Sequence, residues 1–298
     1  MLLNTRFPLL YMARQIKWEV LFVLLIGFLA NNIIYLLRNI LPPMPLTIPV
    51  FIGTAISVII SFNLNQSYER WWEARKIWGS IVNDSRTLVL QLQSFAIAGN
   101  DEEIKKITLR QIAWCFSLGQ SLRGTNPLTN LKKYISEIEL EYVSTHDNKP
   151  LALLQLHARQ IAALYQRHQI NDFQLVQLNT TTTNLTNSMG MAERIKTTVF
   201  PVTYKFFLHL IIYFFVIIMS IGLYSIKVYF SVPLLVLISS SFFFLEKTAT
   251  QLQDPFSNKP TDTPVTAIAI TIETNLKQLI GDTAFIPEPA KAKQFYIS

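Results

Sequence analysis

Four stretches of this chain are almost wholly apolar and long enough to cross a membrane. A helix needs about 20 apolar residues to span the roughly 30 Å hydrocarbon core of a bilayer. Two of the stretches lie near the N-terminus and two follow a long polar region, at residues 20–37, 46–64, 206–224 and 228–245. The hydropathy pattern therefore predicts four transmembrane helices in two pairs.

The polar region between the pairs, residues 65–205, repeats apolar residues with the three-to-four spacing of amphipathic helices. Short segments rich in Gly, Pro, Asn and Asp interrupt that spacing and mark helix ends. The predicted helices are 68–97, 102–122, 128–143, 151–169 and 172–197. The sequence shows neither an alternating strand pattern nor an internal repeat. The predicted fold class is all-α.

The second apolar stretch lacks a residue that would end a helix at the membrane surface. No Gly or Pro occurs between residues 54 and 75, and these residue types are the usual breakers of a helix. We therefore expect the second transmembrane helix to continue out of the bilayer into the polar region.

Composition and charge placement agree with a membrane protein. Half of the residues are hydrophobic and only 15% are charged, and the mean hydropathy is +0.30, which is unusual for a soluble domain. Of the 26 Lys and Arg residues, only Arg38 and Lys227 fall on the side that the positive-inside rule makes the exterior. The prediction is a multi-pass protein of the inner (plasma) membrane with both termini in the cytoplasm.

The same pattern divides the chain into four segments. They are an N-terminal segment with transmembrane helices 1 and 2 (1–64), a helical cytosolic domain (65–205), transmembrane helices 3 and 4 (206–246) and a C-terminal cytosolic segment (247–298).

The chain has a net charge of +7, and membrane topology explains where its basic residues lie. We therefore expect no nucleic-acid partner. The single cysteine, Cys115, excludes an intramolecular disulfide and is expected to be a small buried residue.

An unusual run of aromatic and charged residues, NQSYERWWEARKIWG (65–79), follows the second apolar stretch. At helical spacing, Trp71, Arg75 and Trp78 share one face, and Tyr68 and Trp72 share another. A helix with such residues on several faces must be surrounded by protein, since a surface helix has one apolar stripe. We therefore predict an interface between helices and between subunits. We call the residues of this prediction the aromatic–arginine cluster: Tyr68, Arg70, Trp71, Trp72, Arg75 and Trp78.

The chain resembles the bestrophins, in their bacterial branch, over nearly its whole length. The resemblance is carried by SYERWWEARKIWGSIVNDSR (67–86), ERIKTTVFPVTY (193–204) and QLQDPF (251–256). It implies a homopentameric ion channel for small monovalent ions. Each subunit would contribute four membrane helices and a helical cytosolic domain, with the second helices lining one central pore.

The resemblance also implies where the pore is narrow. Counting back from Arg70 puts the family's pore neck at Thr54, Val58 and Phe62, which are four residues apart and therefore share one helix face. Such a stripe could equally pack against other helices of the same chain. Relatives usually carry a bulky aliphatic residue where Thr54 stands, so the outer end of this neck is expected to be more polar.

The resemblance also implies a second, cytosolic constriction, and counting back from ERIKTTVFP places it near Phe173. The neighbouring Asp172 would form an acidic ring that favours cations if its side chain faces the axis. Eukaryotic relatives conduct anions, and residues 65–205 carry more basic than acidic residues. The sequence therefore leaves chloride and sodium both open as permeant ions.

We expect no metal site and no cofactor. Eukaryotic relatives bind calcium after the fourth membrane helix, but here Asp254 and Asp262 fall short of the six to eight oxygen ligands that calcium prefers. The histidines are widely spaced and are expected to be solvated rather than metal-bound. They are His146, His157, His168 and His209.

Three other classes of protein were weighed. An enzyme is not expected, because the sequence has no phosphate-binding Gly-rich loop and no nucleophile elbow. Secondary transporters usually have broken helices and an internal repeat, and the sequence shows neither. A membrane-anchored scaffold without conduction stays possible on sequence alone. The prediction is an ion channel, with the transporter and the scaffold as alternatives.

Overall fold

A computed structural model of the chain describes residues 9–37, 40, 44–95, 101–198, 201–282, 292–293 and 296–297. Ten α-helices occur in the described residues, with one 3-10 turn at Leu131–Lys133. The helices are α1 Leu9–Gln15, α2 Lys17–Leu37, α3 Thr47–Phe95, α4 Asp101–Leu122, α5 Glu137–Ser144, α6 Lys149–Gln166, α7 Asp172–Thr197, α8 Val202–Gly222, α9 Val228–Leu252 and α10 Val265–Leu279. Two short antiparallel strands, β1 Ala292–Lys293 and β2 Tyr296–Ile297, pair near the C-terminus.

The described residues divide into two compact units. The membrane unit comprises the described residues up to Arg70 together with 201–253. The polar unit comprises Trp71–Thr198 and the described residues from Asp254 onward. Helix α3 contributes residues to both units, which confirms that it continues past its apolar stretch. The predicted helix end at residues 96–97 lies outside the described residues.

The membrane unit contains the four predicted spans. Four helices are long and apolar enough to cross a bilayer, namely α2, α8, α9 and the first part of α3. A helix suits such a segment because its backbone polar groups pair within the segment itself. Its core is built from residues such as Val23, Ile56 and Phe243. At Gly27 an added methyl group would lie 3.2 Å from Leu235 Cδ2, so a small residue is needed where α2 meets α9.

The polar unit is a helical bundle in which α4 packs against α6 and α10, and α6 packs against α7. Helices α5, α6 and α7 begin at N-caps whose side chains accept backbone hydrogen bonds. The Asn148 side chain accepts from Leu151 N before α6, and Asn171 forms a capping box with Gln174 before α7. Trp78, Trp114 and Cys115 are buried in its core, which confirms the expected environment of the cysteine.

Two points of the sequence analysis need correction, one wrong helix and one helix that was missed. The predicted helix 128–143 is wrong, because Asn130 adopts a left-handed conformation (φ 64°) and Ser136 caps a new helix at Glu137. Helix α10 was not predicted at all, although it docks on α4. Apart from the short C-terminal strands, the all-α prediction is confirmed for the described residues.

Candidate functional site

The three predicted neck residues lie together on one exposed face of α3. Val58 is 51% exposed and Phe62 is 66% exposed, and Thr54 is exposed as well. The opposite face of the same helix is buried in the membrane unit, where Ile56 and Ile60 belong to the core. Whether the exposed face lines a pore stays a prediction, but the chain itself does not cover these side chains.

Contacts with α8 and with the end of α9 fix the rotation of α3. The Tyr204 hydroxyl donates to Ile59 O at 3.2 Å, and Gln253 Nε2 donates to Asn63 Oδ1 at 3.1 Å. An added methyl group at Gly53 would lie 3.2 Å from the Phe215 ring. These contacts all use the buried side of α3, so the neck residues are held pointing outward.

The exposed face of α3 is more polar than the exposed face of α2. It carries Ser61 beside the neck residues, and Asn65 and Gln66 follow one turn later. The Thr54 hydroxyl donates to Val50 O at 2.9 Å, which leaves its oxygen lone pairs on the outside of the helix. Helix α2 instead exposes large apolar side chains, namely Leu21, Phe22, Leu25, Phe28 and Leu29. A lipid environment suits α2, whereas the α3 face suits partial contact with water.

The aromatic–arginine cluster does not form one buried core within the chain. Trp78 is buried in the polar unit, and the Trp71 indole Nε1–H donates to Thr261 O at 2.8 Å. In contrast, Tyr68 and Trp72 are about half exposed, at 50% and 47%, and Arg75 is also exposed. Arg70, the remaining member, is half-buried. Trp71 and Trp78 therefore make contacts within this chain, whereas Tyr68, Trp72 and Arg75 lie on a side of the cluster that this chain leaves exposed.

The predicted cytosolic constriction lies at the first turn of α7. Phe173 is 84% exposed, and Asp172 is exposed beside it. The Tyr165 hydroxyl donates to Asp172 Oδ1 at 2.6 Å, and this bond to a carboxylate raises the pKa of Tyr165. The carboxylate therefore has one oxygen held by tyrosine.

The segment after α9 uses its two acidic residues to hold a turn. Asp254 pairs with Lys196 Nζ at 2.9 Å, and Lys259 N donates to Asp262 Oδ2 at 2.9 Å. Burial raises the pKa of Asp262 to about 6, and the nearby charge of Asp254 adds to this shift. In the described parts of the chain, no group of three or more His, Cys, Asp or Glu side chains is placed to hold a metal ion.

Sequence reasoning missed a set of ionisable residues between the membrane helices. Lys247 Nζ of α9 lies 2.7 Å from Glu19 Oε1 of α2, and His209 Nδ1 of α8 lies 3.3 Å from Glu246 Oε2 of α9. The expected solvation is therefore wrong for His209, which is only partly exposed and packs on Tyr213. The signal was present, because these ionisable residues stand near the ends of apolar runs, and ionisable residues of membrane helices usually pair with one another.

The solvation predicted for the histidines is also wrong for His157. Its side chain is fully buried in the polar unit, and neither ring nitrogen has a hydrogen-bond partner among the described residues. Burial lowers its pKa well below the usual value, and the charge of Arg110 lowers it further. The imidazole is therefore neutral near pH 7.

The chain is similar to bacterial channel-forming proteins and to a solved bestrophin structure. It is 28% identical over 246 residues to the voltage-dependent anion channel-forming protein YneE of Escherichia coli O157:H7, covering 82% of this chain and 80% of that protein. It is 27% identical to a voltage-dependent anion channel-forming protein of Ralstonia nicotianae, covering 83% and 80%. The crystal structure of a bacterial bestrophin homologue from Klebsiella pneumoniae superposes with a TM-score of 0.84 at 26% identity, covering 89% of this chain and 98% of that one.

The family assignment rests on most of the chain rather than on the three motifs alone. The family model described as "Bacterial/Fungal Bestrophin protein" matches residues 10–278. That range includes all four membrane helices, the neck residues on α3 and the helices of the polar unit. The chain belongs to the bacterial and fungal bestrophin family.

Proposed function

We propose that this protein is an ion channel that passively conducts small monovalent anions, with chloride as the physiological class of ion. Copies of the chain assemble around one axis with the exposed face of α3 turned inward. The observation that carries this proposal is the outward orientation of Thr54, Val58 and Phe62 on a helix whose opposite face is buried.

The neck residues explain how such a pore is gated. Their spacing of four places successive rings about 6 Å apart, so the three rings form a constriction about 12 Å long. A short apolar constriction controls ions by wetting and drying rather than by binding them. Phe62 is the largest of the three side chains and forms the strongest barrier. Thr54 makes the outer ring easier to hydrate, because its hydroxyl accepts hydrogen bonds from water.

Anion conduction is supported by the relatives, which are named voltage-dependent anion channel-forming proteins. One feature of this chain acts against it, because a ring of exposed Asp172 carboxylates beside Phe173 would favour cations. The bond from Tyr165 holds one oxygen of each carboxylate. This leaves less of the charge accessible to a passing ion.

Self-assembly is supported by the uncovered side of the aromatic–arginine cluster. Exposed Tyr68, Trp72 and Arg75 are residue types that are enriched at protein interfaces. A neighbouring copy would cover them, and the family resemblance supports a pentamer as the assembly. The assembly lies in the inner membrane with both chain termini in the cytoplasm, surrounded by lipid on its apolar faces.

Purified protein in a planar bilayer tests the proposal. Under a tenfold NaCl gradient, single-channel currents should reverse near the chloride potential, about 59 mV from zero. A reversal near the sodium potential would assign cation conduction. Slow coupled flux without single-channel steps would favour a secondary transporter, and electrical silence of the intact assembly would favour a scaffold.

A further inference from the structure

A basic cleft in the polar unit has no role in the proposed pore. It has a volume of about 270 Å³ and lies between α4, α5 and α6. Its lining includes four cationic side chains and two carboxylates, namely Lys106, Arg110, Arg159, Arg167, Glu103 and Glu139. Four positive charges against two negative charges leave the cleft with a net charge of +2. An excess of this size favours an anionic ligand.

Both carboxylates are already neutralised by side chains of the cleft. Glu139 Oε1 accepts from Arg110 Nη2 and lies 3.6 Å from Lys106 Nζ. Glu103 accepts from Gln160 Nε2, and its Oε1 lies 3.3 Å from Arg167 Nη1. The acidic residues therefore position cations of the cleft and cancel two of its four positive charges, so an excess of +2 remains.

One residue that lines the cleft is a buried arginine with unused hydrogen-bonding capacity. Arg110 is only 2% exposed. Its Nη1 donates to Leu156 O at 3.2 Å and its Nη2 donates to Glu139. Its Nε has no hydrogen-bond partner among the described residues. A buried unpaired guanidinium N–H is costly, and an oxyanion in the cleft would pair with it.

The wall of the cleft offers an acceptor as well as donors. Gln160 Oε1 is buried and has no hydrogen-bond partner within the described part of the chain, while its Nε2 is used by Glu103. A ligand that satisfies both Arg110 Nε and Gln160 Oε1 must accept one hydrogen bond and donate another. Hydrogen phosphate and protonated phosphate monoesters have both kinds of oxygen, whereas sulfate has no donor near neutral pH.

We propose that this cleft is a binding site for a soluble phosphate-type anion, either inorganic hydrogen phosphate or a small phosphate monoester. Arg110 Nε and the cations Lys106 and Arg159 donate to the phosphate oxygens, and Gln160 Oε1 accepts from the P–OH group. Arg159 already stacks on Tyr142, 4.9 Å from the ring centroid, which keeps its guanidinium ordered at the rim. A ligand bound there joins α4 to α6. The site is independent of ion conduction.

Equilibrium dialysis of radiolabelled inorganic phosphate against the full-length protein, in a detergent without phosphorus, tests the site directly. We expect saturable binding that weakens about tenfold or more in the double variant Lys106→Gln/Arg159→Gln, because charged donors form the strongest bonds to phosphate. Lys105→Gln is the matched control, since Lys105 is exposed on the same turn of α4 but does not line this cleft. Equal loss in Lys105→Gln, or no saturable binding to the wild-type protein, would overturn the proposal.

Competition experiments separate phosphate from other sources of negative charge. Sulfate should displace labelled phosphate about tenfold less well than unlabelled phosphate does, since it leaves Gln160 Oε1 unpaired. The Gln160→Ala variant should lose that preference while its melting temperature shows that it is folded. Equal competition by sulfate in the wild-type protein would refute the site. Binding to vesicles of phosphatidylcholine with phosphatidic acid, without binding of inorganic phosphate, would refute it in favour of a lipid headgroup.

Discussion

The indole N–H of Trp71 donates a 2.8 Å hydrogen bond to the carbonyl oxygen of Thr261, 190 residues away along the chain. This bond ties α3, at its first residue within the polar unit, to the segment that precedes α10. The Trp71 indole therefore makes its hydrogen bond within its own chain, whereas the side chain of its neighbour Trp72 is 47% exposed.

Replacing Trp71 tests that bond. Trp71→Phe keeps most of the apolar contact but removes the donor, so we expect a loss of about 1 kcal/mol in the free energy of unfolding. Circular dichroism melting of the detergent-solubilised protein measures it. Trp18→Phe is the control, because Trp18 is 60% exposed on α2, and it should change the melting temperature little. An unchanged melting temperature in Trp71→Phe would show that the bond does not stabilise the protein.

Trp72 provides the test of assembly. Trp72→Ala removes a large exposed aromatic side chain that a neighbouring subunit would cover, and such residues contribute about 2 kcal/mol or more to interfaces. We expect native mass spectrometry to show a smaller fraction of full assemblies. The comparison variant is Ile138→Ala, which removes a large apolar side chain that is 81% exposed on α5. A fully assembled Trp72→Ala protein would argue against an interface role.

Phe62→Ala tests the neck. Shortening the largest apolar side chain of the proposed constriction lowers the barrier to wetting, so single-channel conductance or open probability should rise several-fold. Phe28→Ala removes a comparable exposed ring from α2 and should leave the currents unchanged. Wild-type currents from a folded, assembled Phe62→Ala protein would remove Phe62 from the gate.

The burial of His157 predicts that its contribution to the free energy of unfolding decreases at acid pH. Its folded-state pKa lies well below 6.5, so below pH 6.5 the unfolded chain takes up a proton that the folded chain does not. The contribution of His157 to stability is therefore fully present above about pH 6.5 and is lost as the pH drops below it, by up to about 1.4 kcal/mol per pH unit.

On going from pH 7 to pH 5, the melting temperature of the variant His157→Leu should fall less, or rise more, than that of the wild-type protein, because the variant lacks the His157 contribution. His168→Asn is a suitable control, because His168 is exposed and its φ of 57° is well tolerated by asparagine. If the two variants show the same slope as the wild-type protein, His157 does not titrate as described.

The raised pKa of Asp262 predicts the opposite trend, in which the free energy of unfolding decreases as the pH rises. Its folded-state pKa is about 6 against an ordinary value of 3.8, so the folded chain holds the proton more tightly and loses stability as the pH rises from about 4 to about 6. Asp262→Asn should stabilise the protein at pH 8 by about 2–3 kcal/mol, since each pKa unit corresponds to about 1.4 kcal/mol.

The difference between Asp262→Asn and the wild-type protein should vanish near pH 4, where the wild-type carboxyl group is protonated as well. Thermal melting at pH 4, 6 and 8 measures it. Asp147→Asn distinguishes burial from general loss of negative charge, because Asp147 is exposed on the surface of the polar unit. A stabilisation that is the same at all three pH values would contradict the assignment.

The errors of the sequence analysis have specific physical causes. Helix 128–143 was predicted because apolar spacing continues through residues 128–140, but it is interrupted by the left-handed Asn130 and the cap at Ser136. Both residue types also occur within helices, so neither marks a break by itself. His157 was expected in water because a lone histidine on a polar helix gives no sign of which helix will cover it.

The sequence by itself determined the four membrane helices, the continuation of α3 and the family, since apolar run length and the absence of helix breakers are local properties of the chain. Only the tertiary structure decided which face of α3 is covered in the membrane unit, because residues 54–62 carry apolar side chains on several faces and contacts from α8 select among them. The same holds for the bond between Trp71 and Thr261 and for the buried Arg110, whose partners lie far away in sequence. Burial depends on which elements meet, and hydrophobic periodicity shows only that some partner is needed.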